Sequence, residues 1–456
     1  MAVSHLSCRP DRRYGQRLGS SIPNLTCGLC AGHTMKNLTK RISTLAPTSS
    51  KATIMDIDID NHYTSKVYTC GTTVSGYVSI NPRHDTAFSS VQISLQGKAS
   101  VRIDDTYSSR QTSQILLKVD MPVAESAYPE SRTFKAGETY KIPFRFIIPN
   151  QLTDAACQHD VESTSIRDYH LRLPSSLTSW HKYDMAPKLL GIRYHIKAKL
   201  VRESGPQCAR PSEVLSEAQY EINLLAASPE EPPLSVNTRD SQYRVIESKN
   251  VSKALFSVPF SGPLGRVTAA AAQPPTIHLS RDGRSACSSS FQANLIFEPS
   301  VTSVTPPEVV LQSVKIVAQT WYSTKVMNGL PNMGSLREPF NISARVLWET
   351  LEYESWKPKT LSDSQHAAEA KEESWDSAPP TPYSKTLRAE FRLPTGKYVF
   401  PPTFHSCLIS RTYALQISMS AGGTDISLVL PIQIAMEADE QTTARLQDAE
   451  LPVWRP

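Results

Sequence analysis

Three short segments of the chain carry side chains that could do chemistry. Cys157-Gln158-His159-Asp160 sets a thiol, an imidazole and a carboxylate close together, and His405-Ser406-Cys407 sets an imidazole, a hydroxyl and a thiol side by side. Cys27-Gly28-Leu29-Cys30, followed by His33, has part of a zinc-ligand pattern. A nucleophilic thiol needs a base within hydrogen-bond reach and a third group that orients the base. A structural zinc needs four ligands, and only Cys8 lies near enough to extend the Cys27 group. None of the three segments completes a set locally. The chain also lacks a nucleophile elbow, a Gly-rich phosphate loop and a paired-His metal motif. The expected reading is therefore plain: Cys157 and His159 in a folded loop with satisfied polar groups, His405 to Cys407 flanking a strand, and Cys27 and Cys30 as free thiols in a flexible arm. No catalytic residue, cofactor or metal is expected.

A fourth group is periodic. Arg193, His195, Lys197 and Lys199 alternate with Ile192, Tyr194, Ile196, Ala198 and Leu200. Alternate residues of a strand point to one face, about 6.6–6.8 Å apart, so the four form a basic stripe behind an apolar one. Such a stripe could hold an acidic or phosphorylated protein tail, or anionic lipid head groups. An ordinary solvated sheet face accounts for it more simply.

The same period of two runs through most of the chain. It is clear at Val74–Ile80, at Val91–Ile103, at Tyr140–Ile148 after the turn Ala136-Gly137-Glu138, and at Tyr220–Leu224. A second series runs through Phe291–Phe297, Val310–Ala318, Ile342–Trp348, Leu387–Leu393, Tyr413–Met419 and Ile426–Ile434. A helix would scatter these apolar residues around its circumference, whereas a strand with one buried face requires the alternation. The 34 prolines cut the chain into short elements. The expected fold is all-β, with two antiparallel β-sandwich domains at 55–226 and 236–436. Ala227-Ser228-Pro229-Glu230-Glu231-Pro232-Pro233 begins a short hinge at 227–235. Residues 351–385, acidic and then proline-rich, are expected as an exposed insertion, and 437–456 as a flexible tail.

Composition narrows the function. Residues 1–51 hold eight basic side chains against Asp11, or +7 of a formal net +5, which leaves the remainder at −2. A near-neutral body does not suit nucleic acid as the main partner, since phosphate binding needs concentrated positive charge. The eight cysteines, at 8, 27, 30, 70, 157, 208, 287 and 407, form no regular framework, which fits a reducing compartment. No run of about 18 apolar residues or signal-peptide core occurs, and a cytoplasmic protein is expected. Residues 1–54 lack periodicity. They are expected to be a disordered extension or to reflect a start at Met35 or Met55, with an Arg-rich transit peptide as the alternative.

Several motifs, taken in order, resemble a known family. Tyr68-Thr69-Cys70-Gly71-Thr72-Thr73-Val74-Ser75-Gly76-Tyr77-Val78 is similar to the opening strands of the arrestin N-terminal domain, especially in fungal α-arrestins. Phe134 through Phe144, Ile147-Ile148-Pro149, Cys157-Gln158-His159, His170 through Leu177, Asp184-Met185-Ala186-Pro187 and the 192–200 strand resemble its later parts. Pro401 through Tyr413 resembles a late strand of the second arrestin domain, so the likeness spans roughly 55–436. It implies two immunoglobulin-like sandwiches and a non-enzymatic adaptor. Such an adaptor binds cytoplasmic tails of membrane proteins and recruits a WW-domain HECT-type ubiquitin ligase for endocytosis at the plasma membrane or endosomes. The family docks the ligase through Pro-Pro-x-Tyr, because a polyproline helix fits an aromatic groove. The nearest segment here is Pro379-Pro380-Thr381-Pro382-Tyr383, which departs from that spacing. Leu451-Pro452-Val453-Trp454 resembles a Leu-Pro-x-Tyr variant with tryptophan in place of tyrosine. An arrestin-fold trafficking or signalling scaffold without ligase recruitment is the main alternative, and a β-sandwich hydrolase the remote one.

Overall fold

The computed structural model describes residues 53–104, 108–203, 212–236, 242–252, 263–333, 337–359 and 380–437. Strands dominate them, and Thr164–Leu171 is the one α-helix among the described residues. The first half forms two antiparallel layers. One has the order Thr53–Ile59, Thr73–Pro82, Tyr140–Ile147. The other runs Glu213–Leu225, Leu190–Arg202, Ser90–Asp104, Ser109–Met121, with the short Val67–Thr69 added in parallel beside Glu213–Leu225. Their facing apolar rows, among them Val78, Ile80, Ile93, Leu95, Ile142, Phe144, Ile196 and Leu200, make one core. Each such side chain contributes roughly 1.5–3 kcal/mol on leaving water.

The second half repeats the plan. One layer is Ile246–Ser252, Pro263–Ala271, Ser289–Pro299, Tyr383–Phe391, Trp348–Tyr353. The other is built on Phe340–Val346, Val309–Tyr322, Ile409–Ala421 and Thr424–Ile432, with Phe404–His405 paired to the start of Ile409–Ala421. A second core, including Leu295, Phe297, Ile316, Leu415 and Leu428, lies between them. The all-β, antiparallel sandwich architecture expected from the alternation is the one observed.

Three differences have local causes. Period two groups Val310 with Val314 on an inward face, yet Val310 is 47% exposed while Val309 and Leu311 are buried. A bulge between Leu311 and Ser313 adds a residue to one strand and reverses the alternation there. The run Ile342–Trp348 is not one strand: it breaks at the exposed Leu347, where the chain leaves one layer and Trp348–Tyr353 joins the other. Of the segment expected as an insertion at 351–385, residues 360–379 lie outside the described residues; at its start the strand Trp348–Tyr353 runs into it and Lys357–Pro358 follows, both pairing at the edge of Tyr383–Phe391. Glu352 and Glu354 give its start a loop-like composition, but Leu351 and Trp356 pack on the second core.

The halves interlock within a single compact unit. Phe404, Leu408 and Ile409 from the second half enter the first core, and Met185 from the first half enters the second. Residues 227–235 lie between them and are bonded on both flanks. Ser228 Oγ donates to the Thr403 carbonyl (2.6 Å), the Glu231 amide donates to Gln433 Oε1 (3.0 Å), and Arg172 pairs with the Glu231 carboxylate (2.5 Å).

Candidate metal centre and binding surfaces

The seam between the two sandwiches gathers the side chains that sequence alone kept apart. A single 3-10 turn, Asp154–Ala156, delivers Cys157 into the protein with no exposed surface, and His159 follows two residues on, partly exposed. The helix Thr164–Leu171 starts at Ser163, whose hydroxyl accepts from the Ile166 amide (3.3 Å), a standard N-cap. Ile166 and His170, four residues apart, share the buried face of this helix, and Pro174 lies just beyond its end. The fourth member, Cys407, comes from the turn between Phe404–His405 and Ile409–Ala421 in the other half.

These four ligand atoms lie within 4.8 Å of one another. Cys157 Sγ is 3.6 Å from His159 Nε2 and 3.6 Å from His170 Nδ1, and Cys407 Sγ is 3.7 Å from the same His170 nitrogen. His159 turns its other nitrogen, Nδ1, to the Asp160 carbonyl (2.9 Å), which leaves Nε2 facing inward. The Arg167 guanidinium donates to the Cys157 and His159 carbonyls at 2.6 and 3.2 Å, and Gln114 Nε2 donates to the Ala156 carbonyl at 2.5 Å. Burial is the largest cause of the shifted acidities: it lowers His170 to about 4 and raises Cys407 to about 12. His159 and Arg167 add to the first shift, and Cys157 adds to the second. The sequence places Cys157 and His159 in a folded loop and His405-Ser406-Cys407 beside a strand. They do occupy such positions, but His170 and Cys407 complete a ligand set from 237 residues apart. The one available signal was the number of imidazoles and thiols in short windows, and it says nothing about pairing across the fold.

Next to this cluster a cleft runs along the connector, lined by Tyr169, Arg172, Glu231, Tyr243, His405 and Tyr413. His405 is buried with its Nδ1 unpartnered, and burial lowers it to about 3.

The basic stripe lies on Leu190–Arg202, with Arg193 exposed and His195, Lys197 and Lys199 half-buried. The neighbouring strand opposes it with carboxylates. Lys197 Nζ lies 2.8 Å and Lys199 Nζ 3.8 Å from Glu217, and Arg193 Nε lies 3.8 Å from Glu221. Burial, then Arg193, Lys197 and Lys98, lower His195 to about 4, so it carries no charge near neutrality. The stripe is thus largely balanced in charge.

Of the proline-motif residues, Pro380 and Pro382 are half-buried, and Tyr383 opens the strand Tyr383–Phe391. Tyr383 pairs in register with Phe297 and with Pro358, its ring packs on the second core, and the Pro382 carbonyl accepts from the Lys359 amide (2.8 Å). Pro379, Leu451, Pro452 and Trp454 lie outside the described residues, as do Cys8, Cys27, Cys30 and His33. No helix among the described residues is long and apolar enough to cross a membrane.

No curated protein matches the chain. Residues 55–221 match the family model of the arrestin (or S-antigen) N-terminal domain. That span takes in both layers of the first sandwich, the Cys157–His170 segment and the basic stripe. Residues 55–221 thus form an arrestin-like N-terminal domain, carried on a two-layered all-β architecture.

Proposed function

We propose that the protein links cytoplasmic tails of membrane transporters or receptors to a WW-domain HECT-type ubiquitin ligase, in the manner of the fungal α-arrestins, and so promotes ubiquitin-dependent endocytosis. The observation that carries this reading is the arrestin N-terminal domain at 55–221. In this reading the sandwiches at 55–226 and 236–436 hold the tail, joined through 227–235. The stripe Arg193, His195, Lys197 and Lys199 contributes contacts to acidic tails or anionic head groups. Holding two partners at once raises their effective concentration, which lets a non-enzyme speed a ligase's chemistry. The working site would be the cytoplasmic face of the plasma membrane or of endosomes.

Ligase docking falls to 376–386 and 446–456. A Pro-Pro-x-Tyr ligand must offer its tyrosine to an aromatic groove, and Tyr383 is packed and paired, so docking there needs the end of its strand to open. This favours, as a second reading, an arrestin-like trafficking scaffold that recruits no ligase through 379–383. Peptides spanning 376–386 and 446–456, and the full chain, should be titrated by calorimetry against WW domains of a HECT-type ligase. Binding of the full chain supports recruitment. Binding of the 376–386 peptide without binding of the full chain would mean that the sheet masks the motif. No binding by any of the three at high micromolar concentration leaves the scaffold reading.

A further inference from the structure

We propose that Cys157 Sγ, His159 Nε2, His170 Nδ1 and Cys407 Sγ hold one structural zinc ion that fastens the 154–171 segment of the first sandwich to the 404–409 turn of the second. Zinc bonds thiolate sulfur at about 2.3 Å and imidazole nitrogen at about 2.0–2.1 Å in tetrahedral geometry, which sets sulfur–nitrogen edges of about 3.6 Å. The three such edges resolved here are 3.6, 3.6 and 3.7 Å. All four atoms lie within 4.8 Å of one another, so a side-chain adjustment of about an ångström closes the widest edge of a tetrahedron.

The charge balance suits a divalent cation. Two thiols bring two protons, and a neutral imidazole nitrogen facing them accepts one. His170 Nδ1 faces both sulfurs, and Cys157 Sγ faces two imidazole nitrogens. Without metal, the two thiol protons are shared with the two imidazole nitrogens and with the Ala156 carbonyl, which Cys407 Sγ faces at 3.6 Å. On zinc binding both thiol protons leave to solvent, and two thiolates neutralise the ion, so the buried site carries no net charge.

The surroundings are those of a metal site. The Nδ1 of His159 is fixed by the Asp160 carbonyl, which selects Nε2 as the ligand atom, and Arg167 braces the ligand loop through two carbonyls. Cys157, His170 and Cys407 are buried, and the half-exposed His159 marks the side from which an ion enters. Four protein ligands leave no open position, so the site is structural and not catalytic. Mixed thiolate and imidazole ligation suits zinc over the hard, oxygen-seeking magnesium and calcium.

The test uses the full chain carrying Cys27→Ser and Cys30→Ser, so that the partial ligand pattern near the start of the chain cannot supply the metal. It is purified under reducing conditions, assayed for zinc by mass spectrometry, and titrated with cobalt(II) after chelation. One zinc per chain is expected, with the ligand-field bands of tetrahedral cobalt and thiolate-to-cobalt charge transfer. Cys407→Ser and His170→Gln should each weaken cobalt binding by more than about tenfold, whereas Cys287→Ser should leave it unchanged. Thermal unfolding of the parent chain should move to lower temperature on chelation. A folded parent chain that takes up neither metal, a cobalt spectrum without charge transfer, or a Cys157–Cys407 disulfide in the reduced preparation would overturn the proposal. So would metal binding unaltered by Cys407→Ser. Should that variant fail to fold, the spectrum of the parent chain decides alone.

Discussion

The basic face of Leu190–Arg202 and the cluster at the seam both gather ionisable side chains, but they are assembled in opposite ways. On the strand, four residues two apart in sequence share a face because the backbone alternates, and Glu217 and Glu221 of the next strand largely cancel their charge. At the seam, a turn, a loop, a helix and a distant strand-flanking turn each contribute one side chain, and the result is buried. Charge that repeats along one element tends to stay wet and be balanced by its neighbours. Lone pairs that converge from several elements lose water together and need a common partner. In this molecule the regular pattern marks a surface, and the irregular one marks a site.

The largest expected effect tests whether packing or ligation organises the seam. Leu408 follows Cys407 directly and is buried in the first core although it comes from the second half. Leu408→Ala should cost about 2–5 kcal/mol in urea unfolding, as a large-to-small change in a core does. The cobalt-loaded variant should keep the spectrum of the cobalt-loaded parent, because the four ligands themselves are intact. A spectrum lost along with the stability would mean that side-chain packing, not the metal, sets the positions of the ligands, and the contrast with the strand face would narrow.

The strand face was legible in the sequence, and the seam was not. Period two found Val91, Ile93, Leu95, Ala99 and Val101 as one buried row, because burial on a strand is a local property of alternation. Even Gly97 fits that row: a Cβ there would run into the Tyr194 ring, whose hydroxyl is fixed to the Pro174 carbonyl at 2.6 Å. The alternation failed at Val310, where a bulge reversed it, and at Leu347, where the chain changes layer. It also passed over the edge strand Ser109–Met121, where Ile115 is 60% exposed and the adjacent Leu116 and Leu117 are both buried, so no alternation shows. Cys157 and His159 were visible as chemistry-bearing residues. His170 drew attention only as part of a family-like motif, and Cys407 only as a strand flank. Nothing local in the sequence joins Cys407 to a helix 237 residues earlier; the interlocking of the two sandwiches does that.

A middle-sized effect lies on the strand face itself. In the folded protein His195 titrates near 4, against an ordinary value of 6.5. Between those values the unfolded chain takes up a proton that the folded one refuses. His195 therefore contributes stability that is fully present above about pH 6.5 and is lost as pH falls toward 4. Burial drives the shift, and Arg193, Lys197 and Lys98 add to it. Glu221, opposite His195, has its own acidity weakened by burial and works in the other direction. His195→Gln should lessen the drop in urea midpoint between pH 7 and pH 5 relative to the parent chain. An unchanged drop would assign the sensitivity to His170 and His405, the buried imidazoles of the seam and its cleft.

The smallest effect on stability separates a balanced face from an active one. Glu217 holds Lys197 and Lys199 at 2.8 and 3.8 Å from a half-exposed position, and such pairs contribute at most about 1 kcal/mol. Glu217→Gln should therefore move the unfolding midpoint little. It frees two ammonium groups, however, and should strengthen binding to phosphatidylserine vesicles and to phosphorylated tail peptides, with a gain that fades as salt rises. Lys197→Glu with Lys199→Glu should do the reverse. If neither change alters binding, the face is a solvated sheet surface and the partner tail rests elsewhere. If Glu217→Gln strengthens binding, that carboxylate is what keeps the stripe quiet, and displacing it is the work an incoming acidic tail would have to do.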